Sequence, residues 1–195
     1  MYVRDAKNRE EVWLLDHIEE MGLDDTMFRS RDYVVAIDEK NHNKAGFGRI
    51  RIHKPEDAGP ICELTSIGVL PEWRNQGVGA HIIERLVEYA DDEEFDAVYS
   101  LTPGDGYLTQ FGFERIETSA LPEQLQDRLE MKRENRQSEA VPFRLDIGAF
   151  EMPDRFRERF KNAAAHEPAA DEPDESAEDF GIDPDEATYK YDTGR

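Results

Sequence analysis

The segment between Leu70 and Ala80 combines residue types and spacing that suit an anion-binding turn. A β-branched run ends at a proline, the six residues RNQGVG follow, and an amphipathic pattern then begins. Gly77 and Gly79 leave room for a ligand to approach the backbone. The free N–H groups of the first helical turn lie at the positive end of the helix dipole, where two phosphates in series would fit. A tight strand-to-helix connection would also explain the glycines.

Two common phosphate-binding motifs do not match this turn. No Gly-Lys-Ser/Thr sequence is present, so it is not a Walker loop. A dinucleotide fingerprint needs three glycines in the turn and an acidic residue closing the next strand, and the turn lacks this pattern as well.

The sequence around the turn resembles the GNAT superfamily of acetyl-CoA-dependent N-acetyltransferases. Residues 69–80, VLPEWRNQGVGA, are similar to the Q/R-x-x-G-x-G/A motif of that family and to its V-x-P-x-(aromatic)-R approach. The helix after the turn, the strand Phe95–Leu101 and the Gly112-Phe113 pair match the next motif. The resemblance covers residues 1–118 and is strongest over 61–113.

The resemblance implies acetyl-CoA as co-substrate and direct attack of an amine on the thioester in a ternary complex. One set of residues would hold the pyrophosphate through backbone amides. A second set would pair with pantetheine, and one of its N–H groups would polarise the thioester carbonyl. The first set is Arg74, Asn75, Gln76, Gly77, Val78, Gly79 and Ala80, and the second is Ile67, Gly68 and Val69.

Glu63 is the candidate base. An ammonium ion must lose a proton before it attacks, often through a water molecule. Glu63 lies six residues before Val69, an offset at which some family members carry their catalytic glutamate. Burial on a central strand would raise the pKa of its carboxyl group toward a useful value. The alternative is that Glu63 is a salt-bridged or solvated strand residue.

Tyr107 is the candidate acid. In the family, the leaving thiolate often takes a proton from a tyrosine four residues before the glycine of the Gly-Phe pair. Leu108 occupies that position here, and Tyr107 is one residue earlier, which corresponds to a rotation of about 100° on a helix. The alternative is that Tyr107 only packs.

The identity of the acceptor is the least constrained part of the prediction. The pattern aromatic-L-x-x-F-G-F-x-x-I, followed by Leu121-Pro122, resembles a branch of the family that includes amino-acid acetyltransferases. This favours a small-molecule amine or amino acid over a protein lysine or a protein N-terminus. A different class of function is also open, namely a non-catalytic acyl-CoA-binding or regulatory module that acts through its C-terminal tail.

The elements that must position these residues follow in the order strand, helix, hairpin arms, strand, helix, strand. This order predicts an α/β fold (α+β mixed sheet) of the GNAT type, with a central mixed β-sheet flanked by helices on both faces. The predicted strands cover 2–5, 33–38, 45–53, 61–70, 95–101, 113–117 and 141–147, and the predicted helices cover 9–21, 80–91, 121–137 and 153–165.

The charge balance excludes one class of partner. Forty-five acidic residues against twenty-four basic ones give a formal net charge of −21. No basic stripe is available to neutralise phosphates, so we expect no nucleic-acid partner. The acids are dispersed, which favours a proteome adapted to high salt, and a halophilic archaeon is the predicted source. A surface that binds a cationic substrate is the alternative.

The C-terminal segment differs in composition from the rest. Residues 1–165 form the predicted acetyltransferase domain, and 166–195 form an acidic tail with eleven acids and two bases that we expect to be disordered. Phe180, Ile182, Tyr189 and Tyr191 form an apolar island within it. This island predicts docking of the tail on its own domain or on a partner, with an unstructured tail as the alternative.

Cysteine, histidine and hydropathy patterns limit the remaining classes. Cys62 is the single cysteine, so no intrachain disulfide is possible, and the scattered histidines predict no metal site. No apolar run is long enough to span a bilayer, and the charged N-terminus has no signal-peptide pattern. We therefore expect a cytoplasmic protein without a membrane partner. A homodimer is the candidate assembly.

Overall fold

The computed structural model describes residues 1–104, 106–135 and 137–166, so the predicted tail lies outside the described residues except for His166. The described part contains seven strands and four α-helices. The strands are β1 (Tyr2–Asp5), β2 (Tyr33–Ile37), β3 (Lys44–His53), β4 (Ile61–Val69), β5 (Ala97–Pro103), β6 (Glu114–Arg115) and β7 (Ala140–Asp146). The helices are α1 (Glu11–Glu20), α2 (Val78–Asp92), α3 (Glu123–Asn135) and α4 (Asp154–Lys161).

The seven strands form one mixed sheet in the order β1-β2-β3-β4-β5-β7-β6. Neighbouring strands are antiparallel except for β4 and β5, which are parallel. A parallel pair requires a crossover connection, and α2 provides it. The predicted mixed sheet is confirmed.

Alternation of side chains along the strands divides the helices between the two faces. On β4, Cys62 and Leu64 pack in one core with α2 and α4, whereas Ile61 packs in another core with Leu125 and Leu129 of α3. Helix α1 packs on the same face as α3, against alternate residues of β2. The sheet is therefore covered on both sides, as the order of elements predicted.

The start of α1 differs from the predicted one. The sequence predicts a helix from residue 9, whereas a 3-10 turn over Asn8–Glu10 precedes α1, which begins at Glu11. The carboxylate of Glu10 closes the N-terminal cap: it accepts the backbone N–H of Lys7 at 2.8 Å and pairs with Arg4 at 2.7 Å.

Candidate active site

Strands β4 and β5 are paired over only part of their length. The parallel register joins Cys62 to Val98 and Glu63 to Tyr99, and it ends there. Further along β4, the register with β3 shifts between Phe47 and Arg49, and Ser66 has a φ of 49°. Such a bulge bends the strand that carries it. The C-terminal half of β4 therefore separates from β5 and leaves an opening in the middle of the sheet.

Two cavities meet at this opening. One, which we call the α3-side cavity, has a volume of about 780 Å³ and includes Arg51, His53 and Arg128 in its wall. The other, the α2-side cavity, has a volume of about 560 Å³ and includes the start of α2 in its wall. Both are lined by the same three residues of the separated strands, Ile67, Ser100 and Thr102. The two cavities therefore adjoin at the separated strands.

The turn before α2 depends on Gly77. Its φ of 78° is left-handed, a conformation that residues with a Cβ adopt at a cost. A Cβ at this position would also lie 2.5 Å from the carbonyl oxygen of Phe156 on α4. The glycine thus serves the turn and the close approach of α4, and the first residues of α2, Val78 and Gly79, line the α2-side cavity.

Seven of the ten residues predicted to bind the cofactor line the α2-side cavity, and three do not. The side chain of Gln76 donates to the carbonyl oxygen of Ala164 at 3.0 Å, and Ala80 is fully buried. A Cβ at Gly68 would lie 2.7 Å from Sδ of Met21, just beyond α1. The seven lining residues are Ile67, Val69, Arg74, Asn75, Gly77, Val78 and Gly79.

Helix α4 adds positive charge to the same cavity. Arg155 and Arg159 line it together with Arg74. They lie four residues apart, on one face of a helix whose Phe156 and Phe160 pack into the core. The sequence predicts this helix over 153–165 without a role, although paired arginines beside core phenylalanines are a usable signal.

Tyr107 also lines the α2-side cavity. Its ring packs edge-on against Phe111 and Phe156, with centroids 5.2 and 6.1 Å away. Its hydroxyl lies 3.2 Å from the position that a Cβ on Gly79 would take, at the start of α2. The phenol therefore lies beside the turn that the sequence singled out. Leu108, at the position expected for a tyrosine, is 6 % exposed and packs into the core.

Glu63 lies behind the wall of the α3-side cavity and is completely buried. Its Oε2 lies 2.8 Å from Nε2 of His53 and accepts Nε of Arg128 at 2.5 Å. Its Oε1 has no hydrogen-bond partner among the described residues and lies 3.8 Å from Nζ of Lys132. Arg128 also forms an ion pair with Asp24, with Nη2 2.6 Å from Oδ2.

This environment corrects the expected direction of the pKa of Glu63. Burial is the largest single effect and raises the pKa, as predicted. The hydrogen bond from His53 and the charges of Arg128 and Lys132 together outweigh it and lower the pKa from 4.5 to about 2. The carboxylate is therefore firmly ionised, and the predicted salt-bridged alternative describes its contacts. Because His53 lines the cavity and Glu63 does not, His53 is the member of the pair that a bound molecule would contact.

His53 is a residue that the sequence reasoning left without a role. Arg49, Arg51 and His53 alternate along β3, and a spacing of two places all three on the face that α1 and α3 cover. That alternation of cations on a strand was the available signal. Arg128 and Lys132 carried no such signal, because their partner Glu63 is 65 or more residues away in the chain.

Within residues 1–104, 106–135 and 137–166, no group of three or more histidine, cysteine, aspartate or glutamate side chains is arranged to hold a metal ion. Over the same residues, none of the helices combines the length and apolar character needed to cross a membrane.

The model of the acetyltransferase (GNAT) family matches residues 2–113. A curated relative, an uncharacterized N-acetyltransferase of Chlorobaculum tepidum, is 29% identical over 65 residues, which are 33% of this chain and 42% of the relative. The chain thus spans less than half of the length of that relative.

Two solved structures share the fold at low sequence identity. Rv2747 from Mycobacterium tuberculosis, in complex with CoA and NLQ, has a TM-score of 0.61 at 16% identity, over 75% of this chain and 99% of that one. N-acetylglutamate synthase from Neisseria gonorrhoeae, complexed with coenzyme A and N-acetyl-glutamate, has a TM-score of 0.58 at 16% identity, over 74% of this chain and 34% of that one.

Proposed function

This chain belongs to the acetyltransferase (GNAT) family, and on that premise we propose that it transfers the acetyl group of acetyl-CoA to the primary amine of a small molecule in the α3-side cavity. The observation that carries the proposal is the meeting of the two cavities at Ile67, Ser100 and Thr102. A thioester entering from one side of the sheet there faces an amine entering from the other. Holding two reactants in this way favours direct transfer.

The α2-side cavity suits the CoA half of the reaction. The backbone amides of 74–80 and the start of α2 would hold the pyrophosphate, with Arg74, Arg155 and Arg159 adding positive charge. The backbone of 67–69 would align pantetheine, and one of its N–H groups would stabilise the developing oxyanion. Acetyl-CoA supplies the activated acyl group, and the chain orients it toward the opening.

We assign proton removal from the amine to His53 and a positioning role to Glu63. An ionised carboxylate only accepts hydrogen bonds, so Nε2 of His53 carries the proton that points at Glu63. The other ring nitrogen, Nδ1, is then an acceptor. Glu63 fixes this tautomer and stabilises the imidazolium that forms. Glu63, the base predicted from sequence, thus keeps a role in this proposal, but His53 accepts the proton.

Tyr107 is proposed as the acid that protonates the leaving thiolate. Support comes from its place in the wall of the α2-side cavity and from its hydroxyl beside Gly79. The phenolic proton would pass to the CoA sulfur as the carbon–sulfur bond breaks.

A small amine is preferred over a protein acceptor because the α3-side cavity is lined by side chains of α3, β3 and the loop at 22–29. The fold is shared with N-acetylglutamate synthase, which binds N-acetyl-glutamate, a small acylated amine. A panel of amines, peptides and acetyl-CoA, followed by thiol release and product mass, tests the proposal. Tight acetyl-CoA binding without thiol release would favour the non-catalytic module, and turnover of peptides alone would favour a protein acetyltransferase.

The remaining predictions concern the whole protein. Cytoplasmic location, a halophilic archaeal source, a homodimer and tail docking stay predictions from composition. Truncation after His166 tests the predicted domain of 1–165 and the docked tail together. We expect a folded, active domain whose stability, oligomeric state or kinetics differ from those of the full chain. If all three properties were unchanged, tail docking would be wrong.

A further inference from the structure

The α3-side cavity has the opposite charge balance to the protein as a whole. The chain carries a net charge of −21. Among the described residues that line this cavity, six arginines and lysines face three aspartates. The cations are Arg29, Arg49, Arg51, Lys54, Arg128 and Lys132, and the aspartates are Asp24, Asp32 and Asp127.

Three of these cations are already used by the fold. Arg49 is 1 % exposed and donates to the carbonyl oxygens of Thr26 and Met27 at 2.8 and 2.7 Å. Arg128 holds Glu63 and Asp24. Lys132 donates to the carbonyl oxygen of Leu101 at 2.8 Å and to Thr65 at 3.3 Å. Their charges hold the loop before β2 and helix α3 against the sheet, so they are committed to structure.

Arg51 is half-buried beside these groups, and among the described residues its one carboxylate contact is long. Its Nη1 is buried and makes no hydrogen bond to the described residues. The nearest carboxylate, Asp24, lies 3.8 Å away and is already paired with Arg128 at 2.6 Å. Its Nη2 reaches only the sulfur of Met27, at 3.9 Å. A buried guanidinium N–H normally finds an acceptor, so Nη1 leaves room for one supplied by a ligand.

The electrostatics point in the same direction. Burial, followed by the positive charge of Arg128, lowers the pKa of Arg51. A guanidinium keeps its proton across the physiological range, so Arg51 remains a cation in an unfavourable site. A single negative charge placed beside it would relieve both effects.

We propose that the acceptor amine carries a carboxylate that pairs with Arg51, which makes an α-amino acid the simplest substrate class. This inference rests on the proposed function, because it names the acceptor for the same cavity. A planar carboxylate matches the guanidinium fork. Of the three remaining cations of the lining, Arg29 and Lys54 are exposed, and Arg51 alone is half-buried. A monoanion matches this single half-buried cation, whereas a phosphate dianion would call for two. His53 lies two residues further along the same face of β3, where it can meet the amine end.

The test compares each amino acid with its own amide in a thiol-release assay. We expect kcat/KM to be about tenfold or more higher for the acids than for the amides. In Arg51→Gln this preference should vanish through a rise in KM for the acids, while the amides keep their kcat/KM. Arg51→Lys keeps the charge but not the fork, and it should retain only part of the preference. Arg144→Gln is the matched control, since Arg144 pairs with Asp146 on the surface of β7, outside the lining of both cavities.

A binding measurement separates this inference from the proposed function. Thermal shifts of the parent and Arg51→Gln are recorded with CoA plus each amino acid or its amide. If no amine is turned over, the proposed function fails, yet an Arg51-dependent shift with acids alone would still support the carboxylate site. A parent that binds or uses amides as well as acids would overturn it, as would a preference for phosphoethanolamine, or an Arg51→Gln variant that keeps the preference for acids.

Discussion

Nε2 of His53 lies 2.8 Å from Oε2 of Glu63, across the antiparallel pair of β3 and β4. The carboxylate is completely buried, whereas the imidazole belongs to the wall of the α3-side cavity. A buried carboxylate that orients a cavity-facing histidine can favour proton transfer to the imidazole without contacting the molecule that loses the proton. This relationship separates the residue that accepts the proton from the residue that makes the acceptance favourable.

Substitution of His53 should therefore impair turnover more than substitution of Glu63. We expect His53→Gln to lower kcat by about 10² or more, the usual contribution of a general base. Glu63→Gln should lower kcat by about tenfold, because the ring loses the carboxylate that fixes its tautomer and stabilises the imidazolium. Stopped assays across pH 5 to 9 check both effects.

A matched variant distinguishes this effect from a general loss of charge. Glu130 lies exposed on α3, so Glu130→Gln removes one carboxylate without touching the cluster. Its rate and pH profile should match those of the parent. If the His53→Gln variant were active and the Glu63→Gln variant were folded but inactive, Glu63 rather than His53 would be the base.

The stability of the domain should depend on Glu63 at acidic pH. Its carboxyl group has a pKa of about 2 in the folded protein against 4.5 when unperturbed. The folded state thus binds the proton less tightly than the unfolded state. The resulting stabilisation, about 3 kcal/mol, is complete above pH 4.5 and is lost as the pH falls from 4.5 to 2.

Denaturant titrations at pH 7, 4.5 and 3 measure this contribution. The parent should lose stability over the acidic interval more steeply than Glu63→Gln, which has no carboxyl group to titrate at that position. Equal pH slopes for the two proteins would contradict the assigned ion pairs of Glu63.

The fold and the turn before α2 could be predicted from sequence because their signals are local. Strand and helix periodicities lie within single elements, and Gly77 and Gly79 indicate the turn before α2. The mixed sheet followed from the order of the elements. Element ends were less accurate: the strand predicted at 113–117 is only Glu114–Arg115, since its hydrogen-bonded pairing with β7 is limited to two residues.

The side-chain cluster around Glu63 could not be predicted because its contacts are remote in sequence. Glu63 was expected to have a raised pKa on the basis of burial alone. The cations that reverse the shift include Arg128, 65 residues away on a helix outside the recognised motifs. Only the folded sheet brings α3 over β4, so no spacing in the chain reveals this cluster. His53 was the one member with a local signal, through its alternation with Arg51 on β3.

Replacement of Gly77 by alanine should destabilise the domain. The left-handed φ of 78° disfavours a Cβ, and the new atom would lie 2.5 Å from the carbonyl oxygen of Phe156. We expect a loss of about 2 kcal/mol. Because α4 must shift, KM for acetyl-CoA should also rise.

Gly59 provides the control for that substitution. A Cβ at Gly59 would have no atom within 4 Å, and the backbone there has no left-handed φ, so Gly59→Ala should leave the midpoint of unfolding nearly unchanged. Thermal and denaturant unfolding compare the two variants. Equal stability of Gly77→Ala and the parent would mean that the turn and α4 do not constrain each other as described.

Removal of the Tyr107 hydroxyl should affect turnover without affecting acetyl-CoA binding. Tyr107→Phe keeps the ring that packs on Phe111 and Phe156. If the phenol protonates the thiolate, kcat should fall by about tenfold to a hundredfold, while KM for acetyl-CoA and the melting temperature stay close to those of the parent. Tyr2→Phe, on the edge strand β1, is the control. An unchanged kcat would assign Tyr107 to packing alone.

The arginines of α4 should contribute to cofactor affinity rather than to chemistry. Arg155 and Arg159 line the α2-side cavity, whereas Arg157 on the same helix pairs with Glu84 at 2.7 Å and does not line it. Phosphate contacts made equally before and during the reaction change KM and leave kcat unaltered. Arg155→Gln and Arg159→Gln should therefore each raise KM for acetyl-CoA about threefold to tenfold, and KM should depend less on added salt.

Arg157→Gln is the control and should match the parent in both respects. A fall in kcat at constant KM in either variant would instead place α4 in the transfer step, and equal KM values for all three variants would remove α4 from the cofactor site.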